Sequence, residues 1–440
     1  MSESRKIVLN TFGSYGDIHP YMAIAIELQE RGHEAVVATL PLYREKIEAA
    51  GLLFAPVRPD LPPPQDQDEK TMSQIMDPRT GPKFLIEKIV FASVRESYAD
   101  LVTALKDADL LVTHPATPAG PLVGRKLDIP WISTVLAPMS FFSAYDPPVP
   151  PYWRWINKLS LLGPGVMRAV LDLVRRTFDI SAVENLQREL GLSEAGHPIG
   201  DGQHSPILVL ALFSSLFAAA QPDWPAQTKI TGFAFYDGHR ELEMPAHLIR
   251  FLDSGEAPIV FTLGSSAVWV AASFYRESIA ATKALGRRAV LLVGDQRNMP
   301  AELLPEEIIA VDYAPYQSLL PRACAIVHHG GVGTTSQGLR AGVPTLIVPF
   351  AFDQPDNADH AARLGISRTL ERYEYRAPKV ARELHHLLTD PSYADKARKV
   401  GAAVSAENGA AKAADLIECV LRNYSNDKLT KQEPAYAASN

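Results

Sequence analysis

Cysteine is nearly absent. Cys324 and Cys419 are the only two in 440 residues, far apart and without CxxC or Cys/His ligand spacing. A disulfide framework and a zinc site are both unsupported, and a reducing, cytoplasmic setting is expected. Cationic excess is missing too, because 43 Lys and Arg stand against 50 Asp and Glu, a net charge of −7. No basic field exists to hold a nucleic-acid backbone, so nucleic acid is not an expected partner. Long apolar runs are also lacking. The most apolar stretch, residues 207–220, includes Ser214 and Ser215 and is too short and too polar to span a bilayer. The opening MSESRK has no apolar run of the kind a signal peptide needs. No transmembrane segment or export is expected, and only peripheral membrane contact stays open.

What the chain does have is the composition of an ordinary globular protein, 47% hydrophobic and 21% charged, at a length that suits two domains. Short runs of Val, Ile and Leu alternate with longer amphipathic stretches, the rhythm of an α/β fold with parallel sheets covered on both faces. It occurs twice. Strands are expected at 6–11, 34–39, 110–113, 131–134 and 207–212, then at 259–263, 289–293, 308–311, 325–328 and 345–348. The first helix is expected from Pro20 to Arg31, with Pro in its first turn and Gly32 as its stop. Residues 56–70 carry five prolines and read as a loop without regular structure. A second Pro-rich stretch, 145–153, leads into a helical region, and both read as insertions where a binding surface can vary. The apolar rhythm lapses between Gln221 and Glu256. The expected organisation is therefore a first domain at 1–235, a linker at 236–245, a second domain at 246–424 and a flexible tail at 425–440.

The most informative segment is AIVHHGGVGTTSQGLRAGVPTLIVPFAFDQPDN, residues 325–357. It joins a buried strand to a turn with Gly330, Gly331 and Gly333, then to a helix beginning near Thr334. Unpaired N–H groups at such a helix start, with the Thr334 and Thr335 hydroxyls, make an anion site suited to phosphate. His329, at the strand end, can add a hydrogen bond or a positive charge. The plain alternative is a tight turn that binds nothing. GGVGTTS lacks the final glycine of the dinucleotide fingerprint, and Gly13-Ser14-Tyr15-Gly16 fails that template as well, which disfavours a nicotinamide dehydrogenase. Asp66-Gln67-Asp68 follows no apolar strand and reads as a solvated charge run. His385 and His386 read as surface residues.

Residues 311–357, from VDYAPYQ to FDQPDN, resemble the donor-binding signature of the family 1 glycosyltransferases, and GSYGDIHP, residues 13–20, looks like the first-loop motif of their bacterial and sterol-type branch. The resemblance spans both halves. It implies the GT-B architecture, two facing Rossmann-like domains with the active site in the cleft, and transfer of a sugar from a nucleotide diphosphate. Carried over by position, it makes Tyr313 the aromatic that stacks on the nucleobase and gives Ala314 the backbone groups that read the base edge. His329 falls on the diphosphate, and Gly333 and Thr334 hold its oxygens at the turn opened by Gly331. Gln337 stands where plant relatives have a ribose-binding glutamate. Asp353 and Gln354 match the pair that hydrogen-bonds the sugar, and Ser265 matches a small residue near the diphosphate. A UDP- or dTDP-linked donor is implied, rhamnose and glucose both being credible sugars.

Asp17 aligns with the acid–base residue of that branch, and the chemistry needs one, because an alcohol is a poor nucleophile at neutral pH. Asp17 can equally cap the first helix. His19 is the rival base, its imidazole better matched to pH 7. The leaving diphosphate is stabilised by helix N–H groups, Thr334 and His329, so neither a metal nor another cofactor is expected. Phe12, Met139, Phe141, Phe142, Trp153 and Trp155 offer apolar surface for a phenolic or lipid-like acceptor, or else form ordinary core. Asp109 and His114, near the strand at 110–113, are candidates to orient the base. The expected activity is inverting, metal-independent glycosylation of a small apolar natural product. Two alternatives remain: a nucleotide-sugar 2-epimerase, and a non-catalytic nucleotide-sugar-binding module.

Overall fold

Strands rich in Val, Ile and Leu without polar alternation need cover on both faces, and the central strands have it. In β1 (Lys6–Asn10), Ile7 and Leu9 pack on one side of the sheet while Val8 packs on the other with Leu101 and Trp131, and all three of those β1 residues are fully buried. The computed structural model describes residues 4–62, 66, 69–152, 154–194, 196–238 and 244–432. Following β1 come β2 (Glu34–Thr39), β3 (Leu53–Pro56), β4 (Leu110–Thr113), β5 (Trp131–Val135), β6 (Val209–Ala211) and β7 (Thr228–Ile230). They form a parallel seven-stranded sheet in the order β3-β2-β1-β4-β5-β6-β7.

The second sheet contains β8 (Ile259–Thr262), β9 (Ala289–Leu292), β10 (Ile308–Val311), β11 (Ala325–His328), β12 (Thr345–Ile347) and β13 (Ser367–Thr369). It is also parallel, in the order β10-β9-β8-β11-β12-β13. These are the two Rossmann-like units of a GT-B fold. All ten strands expected from the sequence are present. The three not foreseen, β3, β7 and β13, are edge strands, short and only partly buried. Half-covered edges carry little apolar signal.

Four expectations are corrected. The first helix, α1 (Tyr15–Glu30), starts five residues before Pro20, which lies inside it. Its start is set by a capping box: Ser14 is the N-cap, and Asp17, at the third helical position, reaches back to the Ser14 N–H. The stretch 56–70 is not wholly irregular, since Pro56 ends β3 and a helix begins at Glu69. Proline is tolerated there because β3 is an edge strand. The helix Gly409–Gln432 continues past residue 425, where a frayed tail was expected. Finally, that helix does not stay with the second sheet. Its Ala413, Ala414 and Ile417 are fully buried in the core against α1, and Arg31 holds Asp415 at 2.6 Å and Glu418 at 3.1 Å.

The two units are also tied across the cleft. The Val149 N–H donates to Asp356 Oδ1 at 2.9 Å, and Arg363 Nη1 bonds Asp146 Oδ1 at 2.9 Å. Residues 239–243, within the expected linker, lie outside the described residues. Among the described residues no helix is long and apolar enough to cross a membrane.

Candidate active site

In a doubly wound sheet the crevice opens where the strand order reverses, because the loops leaving the two central strands diverge to opposite faces. Here the reversals fall between β1 and β4 and between β8 and β11. The turn after β1 and the first turn of α1 carry Gly13 to Asp17, and His114 directly follows β4. The loop after β8 carries Gly264 to Ser266, and the loop after β11 carries His329 to Gly331, with Gly333 in the first turn of the helix that follows. The two crevices meet. A Cβ built on Gly333 would lie 3.1 Å from Gly16 Cα, so the N-terminus of α1 abuts that of the helix Val332–Ala341. Both positive helix ends converge on one point of the cleft, which favours an anion there.

Asp17 is held by its capping role and is still partly exposed. Ser14 N–H donates to Oδ2 at 2.7 Å, while Oδ1 faces His114 Nε2 at 3.4 Å, with the Asp17 side chain 30% exposed. His114 Nδ1 accepts the Ala116 N–H at 3.0 Å, so the neutral ring carries its proton on Nε2, turned toward Asp17. His114 thus stands beside the candidate base, as expected. Asp109 does not. It sits at the opposite end of β4, accepting from Lys6 N–H at 2.8 Å and from Arg5, so it ties the strand starts together and is remote from the cleft. His19 lies between the rings of Tyr15 and Tyr236, at centroid distances of 5.3 and 5.0 Å. Burial, with the nearby Lys46 ammonium, pushes its pKa down to about 3. Such an imidazole is a weak base at pH 7, and its Nε2 is buried without a partner.

In the second unit, Gly331 is the N-cap of the helix Val332–Ala341 and supplies no side-chain cap, leaving first-turn N–H groups free. A Cβ on Gly331 would lie 2.5 Å from His329 Nε2, so only glycine admits the imidazole at this turn. His329 is buried, its Nε2 3.4 Å from Ser266 Oγ and its Nδ1 unpartnered. Burial lowers its pKa to about 4. By itself the ring is neutral at pH 7 and has a hydrogen bond to offer, which narrows the expectation from sequence. Thr334 is buried beside Tyr316, whose hydroxyl also meets Thr262 Oγ1 at 3.0 Å.

Asp353 bonds Asn357 Nδ2 at 2.7 Å. Burial, opposed by that bond and reinforced by the charge of Asp17, pushes its pKa up to about 7. Gln354 is buried, and its Oε1 accepts from Phe350 N–H at 2.8 Å and Ala351 N–H at 3.1 Å. Its carbonyl oxygen therefore holds the loop, and its amide NH2 is what it has to offer a sugar. Asn357, not foreseen, also donates to Gly330 O at 2.9 Å and leaves its Oδ1 buried without a partner. The signal was its place one helical turn after Asp353.

Tyr313 is 59% exposed at the cleft rim, and Ala314 behind it is buried. Ser265 accepts the Trp269 Nε1–H through its carbonyl at 3.0 Å. Gln337 Oε1 receives Arg340 Nη2 at 3.0 Å, and Arg340 also forks onto Asp237. The aromatic acceptor candidates divide. Phe12 is buried in the core, and Phe141 stacks on Trp224 at 4.0 Å, so both are structural. Met139 and Phe142 are partly buried. Trp153 and the Trp155 side chain lie outside the described residues, as do Gln67 and Asp68, while Asp66 is exposed.

Residues 7–104 match the glycosyltransferase family 28 N-terminal domain, and residues 277–419 match the erythromycin biosynthesis protein CIII-like C-terminal domain. O-mycaminosyltylonolide 6-deoxyallosyltransferase of Streptomyces fradiae is 31% identical over 424 residues, which cover 94% of this chain and 97% of that one. The chain is a GT-B glycosyltransferase of family 1. This glycosyltransferase is also 27% identical to the sterol 3-beta-glucosyltransferase of Leptosphaeria maculans over 92% of its length, though it spans only 28% of that longer protein. Its fold matches the glycotransferase of kitacinnamycin with a TM-score of 0.69 at 21% identity, over 95% of this chain and 100% of that one. It matches spinosyn rhamnosyltransferase SpnG, solved with thymidine diphosphate, at 0.63 and 21%, over 94% and 100%.

Proposed function

We propose that this glycosyltransferase moves a sugar, with inversion and without a metal ion, from a UDP- or dTDP-sugar to a hydroxyl of a small, largely apolar acceptor. Asp17 Oδ1 takes the acceptor's proton. The hydroxyl oxygen attacks the anomeric carbon from the face opposite the diphosphate, the bond to the diphosphate oxygen breaks, and one displacement inverts the centre. Negative charge growing on the leaving group meets the N–H groups at Gly333 and Thr334, the Thr334 hydroxyl and His329, which are already oriented and need no rearrangement. Asp353 and the Gln354 amide hold the sugar, Tyr313 stacks on the base with Ala314 at its edge, Gln337 meets the ribose, and Ser265 lies by the diphosphate. His114 is a positioning residue that aims Asp17.

The observation that carries this reading is the contact of Gly16 with Gly333, which sets the candidate base and the anion-binding helix face to face. The thymidine diphosphate in the SpnG structure supports a dTDP-linked donor, and the relatives' names, with O-mycaminosyltylonolide and sterol as acceptors, support an apolar alcohol. Such a product belongs with glycosylated natural products. The test is Asp17→Ala: transfer should fall by about 10²- to 10⁴-fold while calorimetric titration with dTDP or UDP stays near wild type. His19→Ala should retain most of the turnover. Full activity in the Asp17 variant, or its loss only in the His19 variant, would reassign the base.

A further inference from the structure

Away from the residues placed on the donor, a cavity of about 490 Å³ opens between the two units. Arg79 and Tyr152 of the first unit line it, with Phe350, Glu371, Arg372 and Arg376 of the second. Its volume is that of a small-molecule site. Each guanidinium is pre-aimed. Arg79 lies 3.9 Å over the Tyr152 ring and bonds its hydroxyl through Nη2. Arg372 lies 4.2 Å over the Phe350 ring and gives Nη2 to Val270 O at 3.0 Å. Arg376 gives Nη1 to Tyr375 O at 3.0 Å. Each keeps further N–H groups for a ligand.

Glu371 shares the cavity lining, yet no carboxylate among the described residues is within ion-pair distance of the three. The other cleft arginines, Arg340 and Arg363, are both paired. The acid that Arg372 feels is Asp77, whose Oδ1 is occupied by Arg79 N–H, Thr80 N–H and the Thr80 hydroxyl. Partial burial pushes the Arg372 pKa below its ordinary value, so its charge is held at a cost that an anion would relieve. Three guanidiniums without ion-pair partners, two of them stacked on rings, facing one ligand-sized space are the geometry of oxyanion recognition.

We propose that this cavity binds a carboxylate or phosphate carried by the acceptor. The inference rests on the transferase reading and deepens its acceptor side. An acceptor is chosen over the donor because the donor's expected contacts all come from the second unit, whereas Arg79 and Tyr152 come from the first, Tyr152 within the 145–153 stretch that the sequence marks as a variable insertion. The cavity wall at Phe350 stands three residues before Asp353, so the anion would sit beyond the transferred sugar.

The test is calorimetry on the full chain saturated with dTDP, so that the phosphate site is filled. 4-Hydroxybenzoate, phenyl phosphate and the neutral methyl 4-hydroxybenzoate serve as probes. At least one of the two anions should bind about tenfold or more tighter than the ester, and which one does identifies the group. Arg79→Gln and Arg376→Gln, at exposed positions, should each reduce that preference about tenfold while leaving dTDP affinity unchanged. Equal binding of anions and ester, or a preference that survives both substitutions, overturns the proposal. Failure of dTDP itself to bind would count against the donor site instead.

Discussion

Asp353 shows how a single buried carboxyl ties function to pH. Its folded pKa of about 7 stands above the unfolded value of roughly 4. Between those pH values the folded chain keeps a proton that the unfolded chain has lost, so stability is fully present below about pH 4 and declines as pH rises through 7. Asp353→Asn should therefore melt higher than wild type at pH 8, with the difference shrinking toward pH 4 in calorimetric scans, and should lose transfer. His114 yields a second prediction. His114→Ala removes the donor facing Asp17 and should lower kcat about tenfold with KM and nucleotide affinity little changed, and His114→Gln should recover part of the loss. A drop in Tm that accounts for the activity change would reduce His114 to a structural residue.

At the scale of the element, the site is a meeting of two helix starts. Ser14-x-x-Asp17 is a capping box, so the residue proposed as base is also what begins α1. Pro20 inside α1 has no N–H to give the Gly16 carbonyl, so that group, beside Gly333, lacks its usual i+4 partner. The opposite helix depends on Gly331. In Gly331→Ala the new Cβ must displace His329, and nucleoside diphosphate affinity should fall by about tenfold or more, with a modest change in Tm. Unchanged titration would show that the turn does not grip the diphosphate. Central strands such as β1, β4 and β11 were legible because each contains an unbroken apolar run. The edges β3, β7 and β13 were not, because half-exposed strands carry mixed sequence.

At the scale of the molecule, the last helix crosses from the second sheet to lie on α1 of the first. Ala413, Ala414, Ile417 and Leu421 complete the first unit's core. Ending the chain before Gly409 should strip that cover, at a cost on the order of several kcal/mol, and hydrogen exchange in β1 and α1 should rise even though both lie at the other end of the sequence. Protection that stays at wild-type level would mean that the first unit stands alone. The crossing, with the Val149–Asp356 and Asp146–Arg363 ties, makes the two units mechanically dependent, as closure on two substrates requires.

Two parallel sheets, ten of their strands and the glycine turn before Thr334 were determined by the sequence alone, because apolar runs and glycine act locally. The resemblance of residues 311–357 and 13–20 supplied the remaining site residues and the reaction. Tertiary structure alone decided the rest. His114 lies 97 positions from Asp17 in the chain, and Arg79 is nearly three hundred from Arg372. His19 loses its basicity only because Tyr15, Lys46 and Tyr236 close over it. Contacts of that range, and the burial that shifts a proton's affinity, are properties of packing, and no local pattern of residues encodes them.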